Sequence, residues 1–506
     1  MNDENSAVRQ SELSLIARGG VLVLNGMIIG NLLRYVFQIL VARELGAEIF
    51  GLFVVGLTIF TVAEIFVELG LPTGVVRFVA LYGGMNDRPR TKGIIIMAVR
   101  TVLTTGAVVG FLLFVSAGPV STGIFSDARL SLVLKIFALI LPFAAASTVL
   151  LFVFQGLKVI RPKVIIGEFI EPGLRVALAL ALFIWGWTLS RVLYAYLGVT
   201  LLTLAIIILE LKKLQPGLFD RAVPRLYEKR RWLSFSWPLL LIQFIGFLIM
   251  AMDTLMLGLW RPFLDVGIYG AAQKTAYFGS LIQTSFGSIF APVIADLFNR
   301  RESAAVEHIY KTVSKWTRMF SLPVCFLMIL GARELLSLFG PAYSPAAVPL
   351  TILSLGWLVN ASMGLAGLIL VMSGRTKLHL LNYALLLGLN LLLNAFLIPP
   401  LGLIGASLAT AVSLSLIGIV TVIEVAWIQR IHPFSRQDFK EVAASLVALA
   451  AALALRPYLG GSPLLRLGVI VLVYGLIYLI ILLKLKLGPE DKKIWKELLT
   501  IRGKRG

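Results

Sequence analysis

The sequence predicts an all-α integral membrane protein: about 14 transmembrane helices, two pseudo-symmetric six-helix lobes plus two C-terminal helices. Three observations predict it. Of 506 residues, 58% are hydrophobic and only 14% charged, and the mean hydropathy is +0.92. A soluble interior cannot absorb that much apolar side chain, so the bilayer must be the solvent. The apolar residues also fall into runs of about 20, the length a helix needs to cross hydrocarbon. Finally, basic residues crowd alternate connectors, as they do when one side of a membrane retains positive charge.

The runs cover 17–42, 48–70, 93–117, 130–156, 163–186, 189–210, 233–259, 265–293, 317–339, 345–372, 378–398, 403–428, 440–458 and 464–486. The first is too long for a cleaved signal peptide. With the N-terminus in the cytoplasm, 34 of the 46 Lys and Arg residues fall on the cytoplasmic side. Only seven fall outside: Arg43, Arg129, Arg191, Arg261, Arg333, Arg456 and Arg466. A wrong span count would scramble that alternation, so it supports both the fourteen crossings and cytoplasmic termini. The net charge of +20 is therefore read as orienting charge, not as a nucleic-acid surface.

The longest connector, 211–232, carries Pro216 and Pro224 and reads as a cytoplasmic tether between halves. The chain then divides into an N-lobe (1–210), the linker (211–232), a C-lobe (233–428), and 429–506, which holds the last two spans and a basic tail. A weak repeat supports the halves. ELGAEIFGLFVVG (44–56) and WRPFLDVGIYGAA (260–272) align Gly51 with Gly267 and Phe53 with Tyr269. IWGWTLSRVLYAY (184–196) echoes IPPLGLIGASLAT (398–410) at a similar offset, near 215 residues. The tail 487–506 is open between a basic amphipathic surface helix and an orienting segment.

Catalytic signatures are missing. The chain has no GxxxxGK[ST] loop, no HExxH and no GxSxG. One cysteine, Cys325, permits no internal disulfide, and three scattered histidines offer no metal spacing. No connector is large enough to hold an acceptor and acid/base groups. The chain is expected not to be an enzyme and to need no cofactor; a coupling ion (H+ or Na+) is the one small species its buried carboxylates could use.

Charges inside spans cost about 2.5–3.5 kcal/mol each near the bilayer centre, and those that persist usually face the bundle interior. Span 1 carries Asn31, Arg34 and Gln38 on one face, since spacings of 3 and 4 share a helix side. Span 2 carries Glu64 and Glu68. Span 5 carries Glu168, Glu171 and Arg175 as a stripe, with Pro172 loosening the backbone between them. Span 7 carries Gln243 and Asp253; span 8 carries Gln273, Lys274 and Gln283. Arg34, Asn31, Gln38, Glu64, Arg175, Gln243, Asp253, Gln273 and Lys274 form the candidate substrate cavity. Glu64, Glu168, Glu171 and Asp253 are the candidate ion-coupling carboxylates. Two bland pairings compete: Glu171 with Arg175 along one helix, and Asp253 with Lys274 across a tight hairpin. Arg34 is hardest to explain away, because no acid lies within a turn of it on its own helix. A fixed guanidinium suits bidentate phosphate binding, and amides suit sugar hydroxyls.

Three stretches carry a family resemblance: ARELGAEIFGLFVVGLTIFTVAEIFVELGLPTGVVRFVA (42–80), AMDTLMLGLWRPFLDVGIYGAAQKTA (251–276) and IPPLGLIGASLATAVS (398–413). They resemble the polysaccharide-export, Wzx-like oligosaccharide-lipid flippases of the multidrug/oligosaccharidyl-lipid/polysaccharide exporter superfamily. The resemblance implies two six-helix lobes around a central cavity lined by spans 1, 2, 7 and 8, worked by alternating access. It implies that spans 13 and 14 form a lipid-side groove. The lipid-II-flippase branch is richer in cavity arginines than this chain, which points away from a peptidoglycan precursor. The expected function is movement of lipid-linked oligosaccharide or polysaccharide repeat units from the cytoplasmic to the outer leaflet of the cell membrane. Expected partners are a lipid-diphosphate-linked sugar, membrane lipids and polysaccharide polymerase or assembly proteins, with no nucleic acid and a monomeric chain. Two alternatives stay open: a cation-coupled drug or metabolite exporter of the same fold, and a membrane scaffold of a polysaccharide-assembly complex.

Overall fold

Helices account for nearly all of the chain, and no strand occurs among the described residues. The computed structural model describes residues 2–218, 220, 223–435 and 438–484; the side chains of 2–24 and of some positions in 229–242, 288–299 and 438–439 lie outside that set. Arg221, Arg436 and the tail 487–506 therefore lie outside the described residues, as do the side chains of Arg9 and Arg18.

Contacts divide the chain into two compact units, Met1–Ala271 with Asn390–Leu403, and Ala272–Leu389 with Ile404–Gly506. The first unit contains α1 (Asn2–Glu68), α2 (Leu71–Gly84), α3 (Arg88–Pro119), α4 (Leu130–Gly156), α5 (Ile160–Val164), α6 (Glu171–Trp185), α7 (Leu189–Leu214), α8 (Lys229–Trp260) and most of α9 (Phe263–Ala276). The second contains α10 (Phe278–Asn299), α11 (Ser303–Leu330), α12 (Ala332–Ser337), α13 (Ala347–Ser362), α14 (Ala366–Met372), the first half of α15 (Thr376–Leu401), α16 (Leu403–Gln429), α17 (Asp438–Leu455) and α18 (Pro463–Lys484).

Eleven helical runs among the described residues are long and apolar enough to cross a membrane. The difference from fourteen has local causes. The run 25–84 holds the first two predicted spans, because α1 continues through a break at Gly46 (φ 79°, ψ 165°). Those angles are non-helical and strained for any side chain, so glycine lets the chain kink there and α1 is two helical segments joined at residue 46. The fifth predicted span is broken into α5, a π-helical stretch Ile165–Ile170 and α6. The eighth is split into α9 and α10 at Tyr277. Two other boundaries move. The ninth span begins earlier, at Ser303, because an amphipathic turn with a Glu307–Lys311 pair (2.5 Å) extends the helix past the apolar run. The tenth breaks at Gly364 between α13 and α14.

In the first unit α4 is central and packs on α1, α2, α3 and α7. Its Phe137 meets Phe53 and Phe60 of α1 and stands edge-on to Tyr196 of α7. The repeat-related glycines meet here. A Cβ on Gly51 would lie 1.9 Å from the Phe263 carbonyl oxygen, and one on Gly267 would lie 1.9 Å from that of Ala47. Residues 47 and 51 thus contact 263 and 267 reciprocally, at a constant offset of 216.

The linker is anchored on the first unit. Lys92, one of the 34 basic residues on the cytoplasmic side of the charge pattern, is 2% exposed and donates to the carbonyl oxygens of Asp220 and Val223. Arg90 pairs with Glu228 at 3.1 Å, and the Tyr82 hydroxyl donates to the same carboxylate at 2.5 Å. In the second unit one core joins α10, α11, α14 and α16 around Tyr310 and Ile369. Another joins α11, α17 and α18 around Ala448 and Tyr474.

Candidate functional site

The charged residues of the first unit gather where α1, the π-helical stretch, α6, α4 and α7 converge. Arg34 on α1 reaches Glu168 at 2.9 Å, and its other terminal nitrogen donates to the Gly167 carbonyl at 2.9 Å. Local backbone chemistry explains the second contact. The π turn sends the Glu171 N–H to Ile166 oxygen, five residues back. The same register would pair Gly167 oxygen with the nitrogen of residue 172, which is proline and has no hydrogen. The freed carbonyl is taken by a guanidinium instead. The approach depends on Gly30, where a Cβ would stand 2.3 Å from the Glu168 carboxylate and 2.9 Å from its carbonyl.

One turn further along, Glu171 and Arg175 form an ion pair on α6, and the Arg175 guanidinium lies 4.0 Å over the Tyr196 ring. Glu64, on the second half of α1, has Glu171 and Arg175 as charged neighbours, and the Thr148 hydroxyl of α4 sits against both Glu64 and Glu68. The group contains two arginines and four glutamates, a formal charge of −2 with every group ionised. Each arginine is matched by a carboxylate, so the group as a whole is acidic. Charges this deep persist only in such mutual contact. The Arg34 and Glu168 side chains remain 35% and 26% exposed, so the pair is open to exchange.

A second group surrounds Asp253 of α8, itself 1% exposed. Tyr269 of α9 donates its hydroxyl at 2.6 Å, and Asn394 of α15 donates its amide at 2.8 Å. Asn390 adds a longer contact of 3.4 Å and accepts from Asn394 at 2.9 Å. The Asn394 amide oxygen is buried with no hydrogen-bond partner. A carboxylate beside an unsatisfied amide oxygen is hard-oxygen chemistry, suited to a proton or a monovalent cation. Among the described residues no set of three His, Cys, Asp or Glu could hold a metal.

Asn31 donates to its own helix at Met27 oxygen (2.8 Å). Gln38 and Gln243 each have a buried amide oxygen without a partner in the first unit. Gln273 and Lys274 are half-buried at the end of α9, in the second unit; Gln283 donates to Gly364 oxygen at 3.0 Å. Sequence reasoning missed Asn390, Asn394, Tyr196 and Thr148. The asparagines had a signal: two amides four residues apart in an otherwise apolar span share one helix face.

The comparisons with known proteins extend this picture. The family described as polysaccharide biosynthesis protein matches residues 16–298. The probable flippase AglR of Haloferax volcanii is 27% identical over 226 residues, 42% of this chain; the chain spans 46% of that relative's length. A structure of the lipid II flippase MurJ in an inward closed conformation superposes with TM-score 0.69 at 15% identity, covering 91% of this chain and 98% of that one. An inward-facing multidrug resistance MATE family transporter of the MOP superfamily gives TM-score 0.67 at 15% identity, over 81% and 98%. At these identities the two structures are alike in fold.

Proposed function

We propose, from the premise that the chain belongs to the polysaccharide biosynthesis protein family, that it is a flippase or exporter and not an enzyme. It moves an isoprenoid-diphosphate-linked oligosaccharide or a related repeat unit from the cytoplasmic to the outer leaflet. The observation that carries this reading is the family match, whose residues include the whole Arg34 and Glu64 group. A relative named a flippase and a like-folded lipid II flippase support it. The protein works as a monomer in the cell membrane with both termini cytoplasmic, by alternating access of lobes 1–210 and 233–428. Polysaccharide polymerase or assembly proteins take the cargo onward.

In the proposed mechanism the cargo's diphosphate competes with Glu168 for Arg34. A guanidinium binds phosphate in the same bidentate fashion as carboxylate, so the exchange preserves its pairing. Glu168, once released, takes up a proton or a cation. Asn31, Gln38 and Gln243, in the same unit as Arg34, contact sugar hydroxyls. The Asp253 group favours a second reading, a cation-coupled exporter of drugs or metabolites on the same fold, with Asp253, Glu64 and Glu171 as ion carriers.

The test measures the leaflet distribution of lipid-linked oligosaccharide in cells lacking the protein, complemented at equal expression. Wild type is expected to clear the cytoplasmic leaflet, and Arg34→Ala to slow clearance by about tenfold or more, the scale of one charge-assisted phosphate contact. An unchanged lipid pool in the deleted cells would overturn the flippase reading and leave ion-dependent efflux as the reading to pursue.

A further inference from the structure

The second unit holds a basic pocket that none of the transport chemistry above uses. It lies between the α11–α13 connection and the turn joining α17 to α18, and it encloses about 240 Å³. Arg333, Arg456 and Arg466 line it together with Glu334, Ser337 and Ile470. Glu334 is 5% exposed and pairs with Arg456 at 3.5 Å. Neither Arg333 nor Arg466 has an acidic partner among the described residues, and the Arg466 Nε is buried without a hydrogen-bond acceptor. Three guanidiniums against one carboxylate leave an excess of two positive charges facing a shared space.

All three arginines belong to the seven that the charge alternation leaves on the basic-poor side. Orienting charge therefore does not account for them. A buried guanidinium nitrogen without an acceptor is costly, and clustered arginines repel one another, so the arrangement is explained by an anion that completes it. The volume is below that of drug-sized sites and suits a phosphate ester with a small head, not an oligosaccharide. The rim decides the source. Tyr458 is 83% exposed beside Arg456, and Leu464 and Leu465 are 64% and 60% exposed beside Arg466. Exposed leucines flanked by a tyrosine are the side chains of a membrane–water interface, so the pocket opens at head-group level and not into free solution.

We propose that this pocket binds the phosphate of an anionic membrane lipid, entered from the bilayer side. Phosphate oxygens accept from Arg466 and Arg333, and the Glu334–Arg456 pair closes the third wall. The lipid's acyl chains lie along the exposed leucines at the start of α18. A lipid held there ties the α12 segment to the α17–α18 turn.

Native mass spectrometry of the purified full-length protein tests this, with phosphatidylglycerol, phosphatidylcholine and inorganic pyrophosphate as probes. Wild type is expected to retain phosphatidylglycerol over phosphatidylcholine by about tenfold, and Arg333→Gln/Arg466→Gln to abolish that preference, the order of effect of removing two basic contacts to an anionic lipid. Glu334→Gln removes the opposing charge and is expected to strengthen retention, a direction that misfolding cannot imitate. Absence of any preference in wild type, or a preference untouched by the double substitution, would overturn the site. Pyrophosphate displacing the lipid at micromolar concentration would overturn the lipid source and make the ligand a soluble anion.

Discussion

Asp253 is the residue whose surroundings most constrain what it can do. Its carboxylate accepts from Tyr269 and Asn394 while the Asn394 oxygen beside it has no partner. Replacing it by leucine would strand those neutral donors, at a cost of about 1–3 kcal/mol for each one left unsatisfied. Asp253→Asn keeps the shape and removes the charge. If Asp253 carries a coupling ion, that variant is expected to fold and bind cargo yet lose stimulation by a sodium or proton gradient, measured by transport into proteoliposomes with and without each gradient. Gradient stimulation equal to wild type would sink the coupling role. Residue by residue, the buried charges were legible in the sequence, and so was the Glu171–Arg175 pair within one helix; the partners brought in from other helices were not. Arg34 stood out because no acid lay within a turn, and Glu168, 134 positions away, became its partner only through the fold. Asn390 and Asn394 escaped because an uncharged amide barely disturbs the hydropathy of a span.

At the scale of elements, helix breaks separate what was legible from what was not. Apolar length located the spans, since a helix in lipid must satisfy its own backbone. The interruptions at Ile165–Ile170 and at Tyr277 lie inside runs that stay apolar enough on average to read as one span each. Pro172 marked the first of them, and its missing N–H is what leaves the Gly167 carbonyl to Arg34. The sharpest element-level contact is the crossing of α1 over α9 at Gly51 and Gly267. A side chain at either position meets backbone, which cannot swing away as a flexible side chain can. Gly51→Val or Gly267→Val is expected to destabilise by about 1–3 kcal/mol or more, the usual range for overpacking. Gly83→Ala, on α2 with nothing within 4 Å, is expected to be neutral or slightly stabilising. Thermal unfolding in detergent distinguishes these outcomes, and an unchanged midpoint for either valine variant would refute a tight crossing.

Across the whole molecule, the count of crossings governs which chemistry faces which side. Eleven long apolar runs become fourteen crossings only if the run 25–84 crosses twice and the two interrupted helical segments each cross once. An interrupted span is also the kind that can turn back within the bilayer, as re-entrant segments do when protein satisfies their backbone. The fifth and eighth spans are thus the places where the alternation of basic connectors must be tested. The sole cysteine, Cys325, is buried and can be replaced by alanine to give a cysteine-free background. Single cysteines at Lys158, Thr188, Pro262 and Arg301 then bracket the two spans, and all four positions are exposed. With a membrane-impermeant maleimide applied to intact cells, Thr188→Cys and Pro262→Cys are expected to label, and Lys158→Cys and Arg301→Cys only after permeabilisation. If 158 and 188 label from one side, the fifth segment is re-entrant. Arg34 would then sit against a segment that does not cross, and the connectors from 211 to 261 would all change sides. The parity would be restored only by an equal failure at the eighth span, which the pair at 262 and 301 reads independently. Correct alternation at both would fix the basic linker and the Arg333–Arg456–Arg466 pocket on opposite faces, the arrangement that lets one end orient the protein while the other holds an anionic lipid.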